Sequence, residues 1–126
     1  MTTSSQAIIL FAHGARDPEW ALPFQAIKRQ LQAARPDAQV GLAFLELMTP
    51  SLEAAVAQSA AQGAKRIVLV PLFLAQGGHM KQDLPRLVRE ISDRHPQLEF
   101  QVMSAIGDAP EMLQAITDWI LRGAAA

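Results

Sequence analysis

The sequence predicts an α/β fold: an open, flavodoxin-like sheet of four parallel strands in the order 2-1-3-4, with helices on both faces. Three observations point there. Four short apolar runs, Ala7–Ala12, Val40–Leu45, Arg66–Leu72 and Glu99–Ser104, are each followed by a segment with helical signals. That βα alternation calls for a parallel sheet covered on both faces, whose buried strands read as continuous apolar runs. A faint repeat at an offset of sixty aligns Arg35-Pro36 with His95-Pro96, Pro50 with Pro110, and the strands at 8–12 and 40–45 with those at 68–72 and 100–105. Finally, 126 residues make one domain, 1–126, long enough to bury a core without a staple.

The elements follow in order. After the first strand, Asp17-Pro18-Glu19 offers a capping side chain, an early proline and an early acid. Trp20, Phe24, Ile27 and Leu31 then share a helical face, and Pro23 sets the start of regular helix near Leu22. Thr49-Pro50 opens the second helix, with Leu52, Ala55, Val56 and Ser59 on one face and Gly63 as its stop. Asp83 is expected to cap the third helix, with Pro85 in its first turn, a buried stripe of Leu84, Leu87, Val88 and Ile91, and His95-Pro96 at its end. Asp108-Ala109-Pro110-Glu111 reads as a capping box before Ile116, Trp119 and Ile120, with Gly123 beyond. The Ala124-Ala125-Ala126 tail is expected to fray.

Composition removes several classes of function. The chain has no cysteine, so disulfides, iron–sulfur clusters, thiolate zinc and cysteine nucleophiles are all excluded, and a metal must be held by nitrogen and oxygen. A formal charge of −1 with interspersed signs carries no basic stripe for nucleic acid. The start lacks a basic n-region, and the apolar run behind it is too short to span a membrane. The expectation is a soluble, cytoplasmic protein with neither membrane nor nucleic-acid partner. No G-x-G-x-x-G follows the first strand and no phosphate-binding P-loop occurs, so neither a nucleotide nor an organic cofactor is expected.

Three polar residues stand out by position. His13 ends the first strand; Glu46 ends the second, in an apolar stretch where a carboxylate is costly unless partnered; His79 lies in the loop after the third. Parallel strands put their carboxyl ends on one edge, where ligands of open α/β sheets bind. Each residue alone also fits a plainer role: a loop histidine, a buried acid paired with arginine, a histidine bonded to a backbone carbonyl near Gly77-Gly78. Together, two imidazoles and a carboxylate suit a divalent first-row metal, or proton transfer near neutral pH. None of the three is repeated at the sixty-residue offset: His13 aligns with Phe73, Glu46 with Ile106 and His79 with Glu19. Arg16, Lys81 and Arg86 lie near these histidines in sequence; each reads first as surface charge, and as a group on one rim they suit an anionic carboxylate or phosphate ligand. His95 reads as a surface residue near a helix end, and Met48 and Met80 as packing or cleft lining.

Three ordered motifs carry a family resemblance: His13-Gly14-Ala15-Arg16-Asp17-Pro18; Phe44-Leu45-Glu46 followed by Pro50-Ser51-Leu52; and Val70-Pro71-Leu72-Phe73-Leu74 with Gly77-Gly78-His79 and Asp83-Leu84-Pro85. They resemble the small CbiX/SirB sirohydrochlorin chelatases over nearly the whole chain, with Ala15 where serine is common. The resemblance implies a chelatase-like fold and insertion of a divalent metal, Co²⁺ favoured and Fe²⁺ or Ni²⁺ also in range, into sirohydrochlorin on the way to cobalamin or sirohaem. It implies that His13 and His79 are the functional histidine pair and Glu46 a metal ligand. It also implies that a half-length chain pairs as a homodimer with the tetrapyrrole between subunits. Arg16, Lys81 and Arg86 then become candidates for the substrate carboxylates. The competing readings are a tetrapyrrole or metal carrier with the same site but no turnover, and a phosphoryl-transfer enzyme with His13 as nucleophile. The last wants an arginine immediately before the histidine, where this chain has Ala12.

Overall fold

In the computed structural model, which describes residues 5–125, the apolar runs form one sheet of four parallel strands in the order β2-β1-β3-β4. β1 spans Gln6–Ala12, β2 Gln39–Phe44, β3 Arg66–Pro71 and β4 Glu99–Val102. The strand ends lie within one or two residues of the expected ones, the usual spread at element ends. The β1–β3 register matches the repeat. Gln6 faces Arg66 and Phe11 faces Pro71, an offset of sixty, so β1 and β3 residues aligned by the repeat are neighbours in space, whereas β2 and β4, aligned by the same offset, stand at opposite edges of the sheet.

Alternation along the strands builds two layers. Ala7, Ile9 and Phe11 point to the face covered by α2 (Leu52–Ala61) and α3 (Gly78–Arg94), where they pack with Val56, Ile67, Leu69, Leu84 and Ile91. Leu10 and Ala12 point to the other face, toward α1 (Leu22–Ala34) and the residues leading into it, with Phe44, Trp20 and Phe24. Helices therefore lie on both faces, as expected.

The helix starts show where sequence signals hold. The Asp17 carboxylate accepts from the Glu19 backbone N–H (2.9 Å) and begins a 3-10 turn, Pro18–Ala21. Regular helix follows from Leu22, which leaves Pro23 in the first turn, where a missing N–H costs nothing. For α2 the cap is Ser51 rather than Thr49-Pro50: its extended backbone frees the hydroxyl to accept from Ala54 N–H. Leu52, Ala55, Val56 and Ser59 are its buried face, as expected.

Two expected caps are overturned. α3 starts at Gly78, with Gly77 as an N-cap that has no side chain to bond, so Asp83 and Pro85 lie inside the helix. Pro85 cannot donate to the Lys81 carbonyl; its exposed position leaves that carbonyl within reach of water. For α4 (Pro110–Gly123) the N-cap is Ala109 and no capping box forms, because Asp108 is drawn into a preceding 3-10 turn, Ile106–Asp108. Of the tail expected to fray, Ala124 still donates to the Ile120 carbonyl and Ala126 lies outside the described residues.

The repeat survives at the ends of α1 and α3. Arg35 (φ −129°, ψ 70°) and His95 (φ −130°, ψ 65°) take nearly the same backbone conformation, and each accepts at its carbonyl from the N–H three residues on. Arg35 also grips Asp37 with two bonds of 2.8 and 2.9 Å, which holds the Asp37 carboxyl below its ordinary value. A carboxyl held low in the folded state adds stability above its unfolded value, near pH 4, and loses it as pH falls through the lower folded value. Asp37→Asn is therefore expected to melt below the parent protein at pH 6, with the gap closing below pH 3, in thermal melts followed by circular dichroism. The repeat fails at α4: α2 buries four residues, whereas α4 buries none.

Candidate functional site

The backbone ladder between β1 and β2 continues past both strand ends and delivers the first two candidate residues together. Leu45 N–H donates to the Ala12 carbonyl (2.9 Å) and Glu46 N–H to the His13 carbonyl (3.1 Å). The side chains then meet: His13 Nε2 lies 3.0 Å from Glu46 Oε1. A carboxylate can only accept, so this bond puts a proton on Nε2. Both side chains remain open to solvent, 55% and 54% exposed, so the pair is formed and also reachable.

Two backbone features hold the pair. Gly14 is buried with φ +98°, and a Cβ there would stand 1.8 Å from the Glu46 carbonyl oxygen. Only glycine lets the chain leave β1 so close to the end of β2. On the other side, Leu47 has φ +67° and Met48 N–H donates to the Glu46 carbonyl (2.8 Å), a tight turn centred on Leu47. A side-chain-bearing residue in that region stores strain, and such strain clusters at functional sites. The floor of the site is Phe73, buried against Phe11 at 5.6 Å between ring centroids and edge-on to the His13 ring at 6.4 Å. Sequence reading did not assign Phe73 to the site. The signal was present, since Phe73 is the repeat counterpart of His13 and the repeat offset is the β1–β3 register.

His79 is placed differently from the sequence expectation. It stands in the first turn of α3, not in a loop, and is exposed. Among the described residues no group of three or more His, Asp or Glu side chains is close enough to hold a metal ion. The structure therefore unites His13 and Glu46 and leaves His79 apart, on the segment that follows β3. A Cβ at Gly77 or Gly78 would meet nothing within 4 Å and Gly77 has a φ of −70°, so tight-turn geometry does not call for glycine beside His79.

The three basic candidates are all exposed. Arg16 follows His13 and Gly14 on the way out of β1, and Lys81 lies in the first turns of α3. Arg86 is 3.6 Å from Asp83, one turn away, and lines a 280 Å³ cleft with Leu45 and Met80, next in the chain to Glu46 and His79. Met48 and Met80 pack against the two cores, as expected of both. Among the described residues no helix is long and apolar enough to cross a membrane.

Known proteins resemble this chain over most of its length. The CbiX family model matches residues 7–122. A sirohydrochlorin cobaltochelatase of Methanocaldococcus jannaschii is 39% identical over 92 residues, which span 71% of this chain and 63% of that protein. One from Saccharolobus islandicus is 40% identical over 81 residues, 64% of this chain and 62% of that protein. The matched stretch thus falls short of two thirds of either relative's length. Among solved structures, the CbiX protein from Marinobacter aquaeolei VT8 superposes with a TM-score of 0.82 at 30% identity, covering 94% of this chain and 96% of that one. SirB from Bacillus subtilis with Fe³⁺ gives 0.79 at 26% identity, covering 97% of this chain but 48% of its own. SirB from B. subtilis subspecies spizizenii in complex with cobalt gives 0.72 at 29%, covering 94% and 50%. With its parallel 2-1-3-4 sheet and its three motifs spread along the matched region, the chain belongs to the CbiX family.

Proposed function

We propose that this protein is a sirohydrochlorin chelatase that inserts a divalent metal, Co²⁺ before Fe²⁺ or Ni²⁺, into the tetrapyrrole in cobalamin or sirohaem biosynthesis. The observation that carries the reading is the exposed His13–Glu46 pair at the carboxyl edge of the sheet. The chelatase names of the relatives and the cobalt and Fe³⁺ held by the two SirB structures support it.

The pair suits a metal that must be surrendered. An imidazole nitrogen and a carboxylate attract a first-row cation without the grip of thiolate. The proton now shared between Nε2 and Oε1 occupies the place the incoming metal substrate takes, so loading releases it. Insertion replaces two pyrrole N–H protons by M²⁺. As the metal leaves, the Nε2 lone pair is freed and accepts one of those protons, restoring the Nε2–H to carboxylate bond; the second leaves to water or another base. In this reading His79 comes to the metal or the ring from the first turn of α3, and Arg16, Lys81 and Arg86 meet the anionic carboxylates of the substrate. The pairing of two chains around the tetrapyrrole and a cytoplasmic setting belong to the same proposal, in which no nucleotide or organic cofactor takes part.

The test is a spectroscopic assay with sirohydrochlorin and each of Co²⁺, Fe²⁺ and Ni²⁺. The expected result is protein-dependent conversion of the absorption bands, fastest with Co²⁺. Saturable binding of sirohydrochlorin with no band conversion for any metal would make the protein a carrier and overturn the enzymatic reading.

A further inference from the structure

β2 is an edge strand, and an edge strand turns every second N–H away from its sheet. Two of these groups in β2 are taken. Val40 N–H donates to the Gln32 side chain (3.2 Å) and Phe44 N–H to the Pro50 carbonyl (2.9 Å), which closes the edge at both ends. Leu42 lies between them with the same parity, and its N–H faces outward with no partner among the described residues. Two basins meet at that point. One, of 360 Å³, is lined by Gln25, Lys28 and Arg29, which share a face of α1, and by Thr49. The other, of 200 Å³, runs toward α2 and is lined by Gln58, Ser59 and Gln62. Lys28, Leu42 and Pro50 line both, and no Asp or Glu lines either.

The donors in these basins are unspent. Arg35, Arg86 and Arg94 each hold a carboxylate, whereas among the described residues Lys28 and Arg29 hold none. Ser59 is only 8% exposed, and its hydroxyl makes no hydrogen bond among the described residues. Buried polar groups are normally paired, so a buried hydroxyl left open toward a cavity points to a ligand. We propose that the two basins form one site for a small phosphate monoester with a hydroxylated body, such as a sugar phosphate. The phosphate occupies the α1 basin. Lys28 and Arg29 balance its charge of nearly two, and the Leu42 N–H, Gln25 amide and Thr49 hydroxyl serve its three terminal oxygens. The hydroxylated body lies against Ser59 and the carboxamides of Gln58 and Gln62, which are neutral and suit hydroxyl groups. A peptide strand added to β2 would need a run of open rungs, and the Gln32 and Pro50 contacts leave only Leu42. The site shares no residue with the His13–Glu46 pair or with the cleft beside it, so it does not depend on the chelatase reading.

The test is calorimetric titration of the full chain at low salt with ribose 5-phosphate, ribose, gluconate and inorganic phosphate. The expected result is saturable binding of ribose 5-phosphate, weaker binding of gluconate and none of ribose. Lys28→Ala and Arg29→Ala should each weaken the phosphate ester at least about tenfold, the scale of one charge-assisted hydrogen bond. Arg89→Ala, which removes an exposed cation of α3 that also lacks a carboxylate, should bind as the parent does. Ser59→Ala has no internal hydrogen bond to lose, so its circular dichroism spectrum should be unchanged; it should weaken ribose 5-phosphate and leave inorganic phosphate at the parent affinity. Absence of saturable ribose 5-phosphate binding would overturn the site. Losses in Arg16→Ala or Arg89→Ala equal to that in Lys28→Ala would overturn it too, by showing attraction to general positive charge. Gluconate binding as tightly as ribose 5-phosphate would overturn the phosphate assignment, and a Ser59→Ala variant that binds ribose 5-phosphate as the parent does would overturn the second basin.

Discussion

His13→Ala is expected to lower the rate of Co²⁺ insertion into sirohydrochlorin by two orders of magnitude or more, with little change in stability. A positioned proton-transfer group contributes about 10²–10⁴ in rate, and loss of a metal-receiving nitrogen adds to that. The stability side follows from exposure: the His13 and Glu46 side chains are more than half open to solvent, so removing one leaves no buried group unpaired. Surface changes of that kind stay within about 0.5 kcal/mol. Glu46→Gln separates the two jobs proposed for the pair. It keeps the shape and a hydrogen-bond acceptor for Nε2 but removes the charge that draws the cation. Its expected signature is a loss that raised Co²⁺ partly restores, while the loss in His13→Ala persists at saturating metal. The measurements are initial rates over a Co²⁺ series and urea unfolding of each variant. A His13→Ala protein that folds and inserts Co²⁺ at the parent rate would remove His13 from the mechanism.

Much of this was legible in the sequence, for physical reasons that also mark where legibility stopped. Strands buried on both faces must be apolar throughout, so Ala7–Ala12, Val40–Leu45 and Arg66–Leu72 showed themselves, whereas β4 is largely exposed and mixes Glu99 and Gln101 with its apolar residues; βα alternation then required parallel pairing. Parallel strands share a carboxyl edge, which is why His13 and Glu46 could be paired across 33 residues before their 3.0 Å contact was known. Helix starts were less readable. Gly77 caps α3 with no side-chain bond, so nothing in the sequence announces it, and Asp83-Pro85 imitates a first turn that the chain passes straight through. Asp108 has the right spacing for a capping box but is held in the preceding turn. The positive φ of Leu47 depends on where the chain must go next, toward the Phe44–Pro50 backbone bond, and its side chain carries no sign of it. The amphipathic pattern of α4 was plain; that its apolar face stands exposed was not, because periodicity fixes a face and not its partner.

Gly14→Ala is expected to be the most damaging single methyl in the chain, lowering stability by about 3 kcal/mol or more and suppressing insertion with it. A left-handed backbone costs an alanine roughly 1–2 kcal/mol before any contact is considered. The larger effect is the Cβ itself, 1.8 Å from the Glu46 carbonyl oxygen, a backbone atom that cannot swing aside as a side chain does. Relief requires the ends of β1 and β2 to part. That breaks the bond from Glu46 N–H to the His13 carbonyl and draws the imidazole away from the carboxylate. Stability and activity therefore fall together here, whereas in His13→Ala they separate. Gly78→Ala is the matched control on stability. Its Cβ meets nothing and the position lies in the first turn of α3, so the helix preference for alanine over glycine should leave the protein unchanged or firmer by up to about 1 kcal/mol. Urea midpoints of the two variants, measured side by side, should move in opposite directions or leave Gly78→Ala unmoved. Equal losses from both would mean that glycine at position 14 answers to general backbone entropy and not to the close approach that aligns His13 with Glu46.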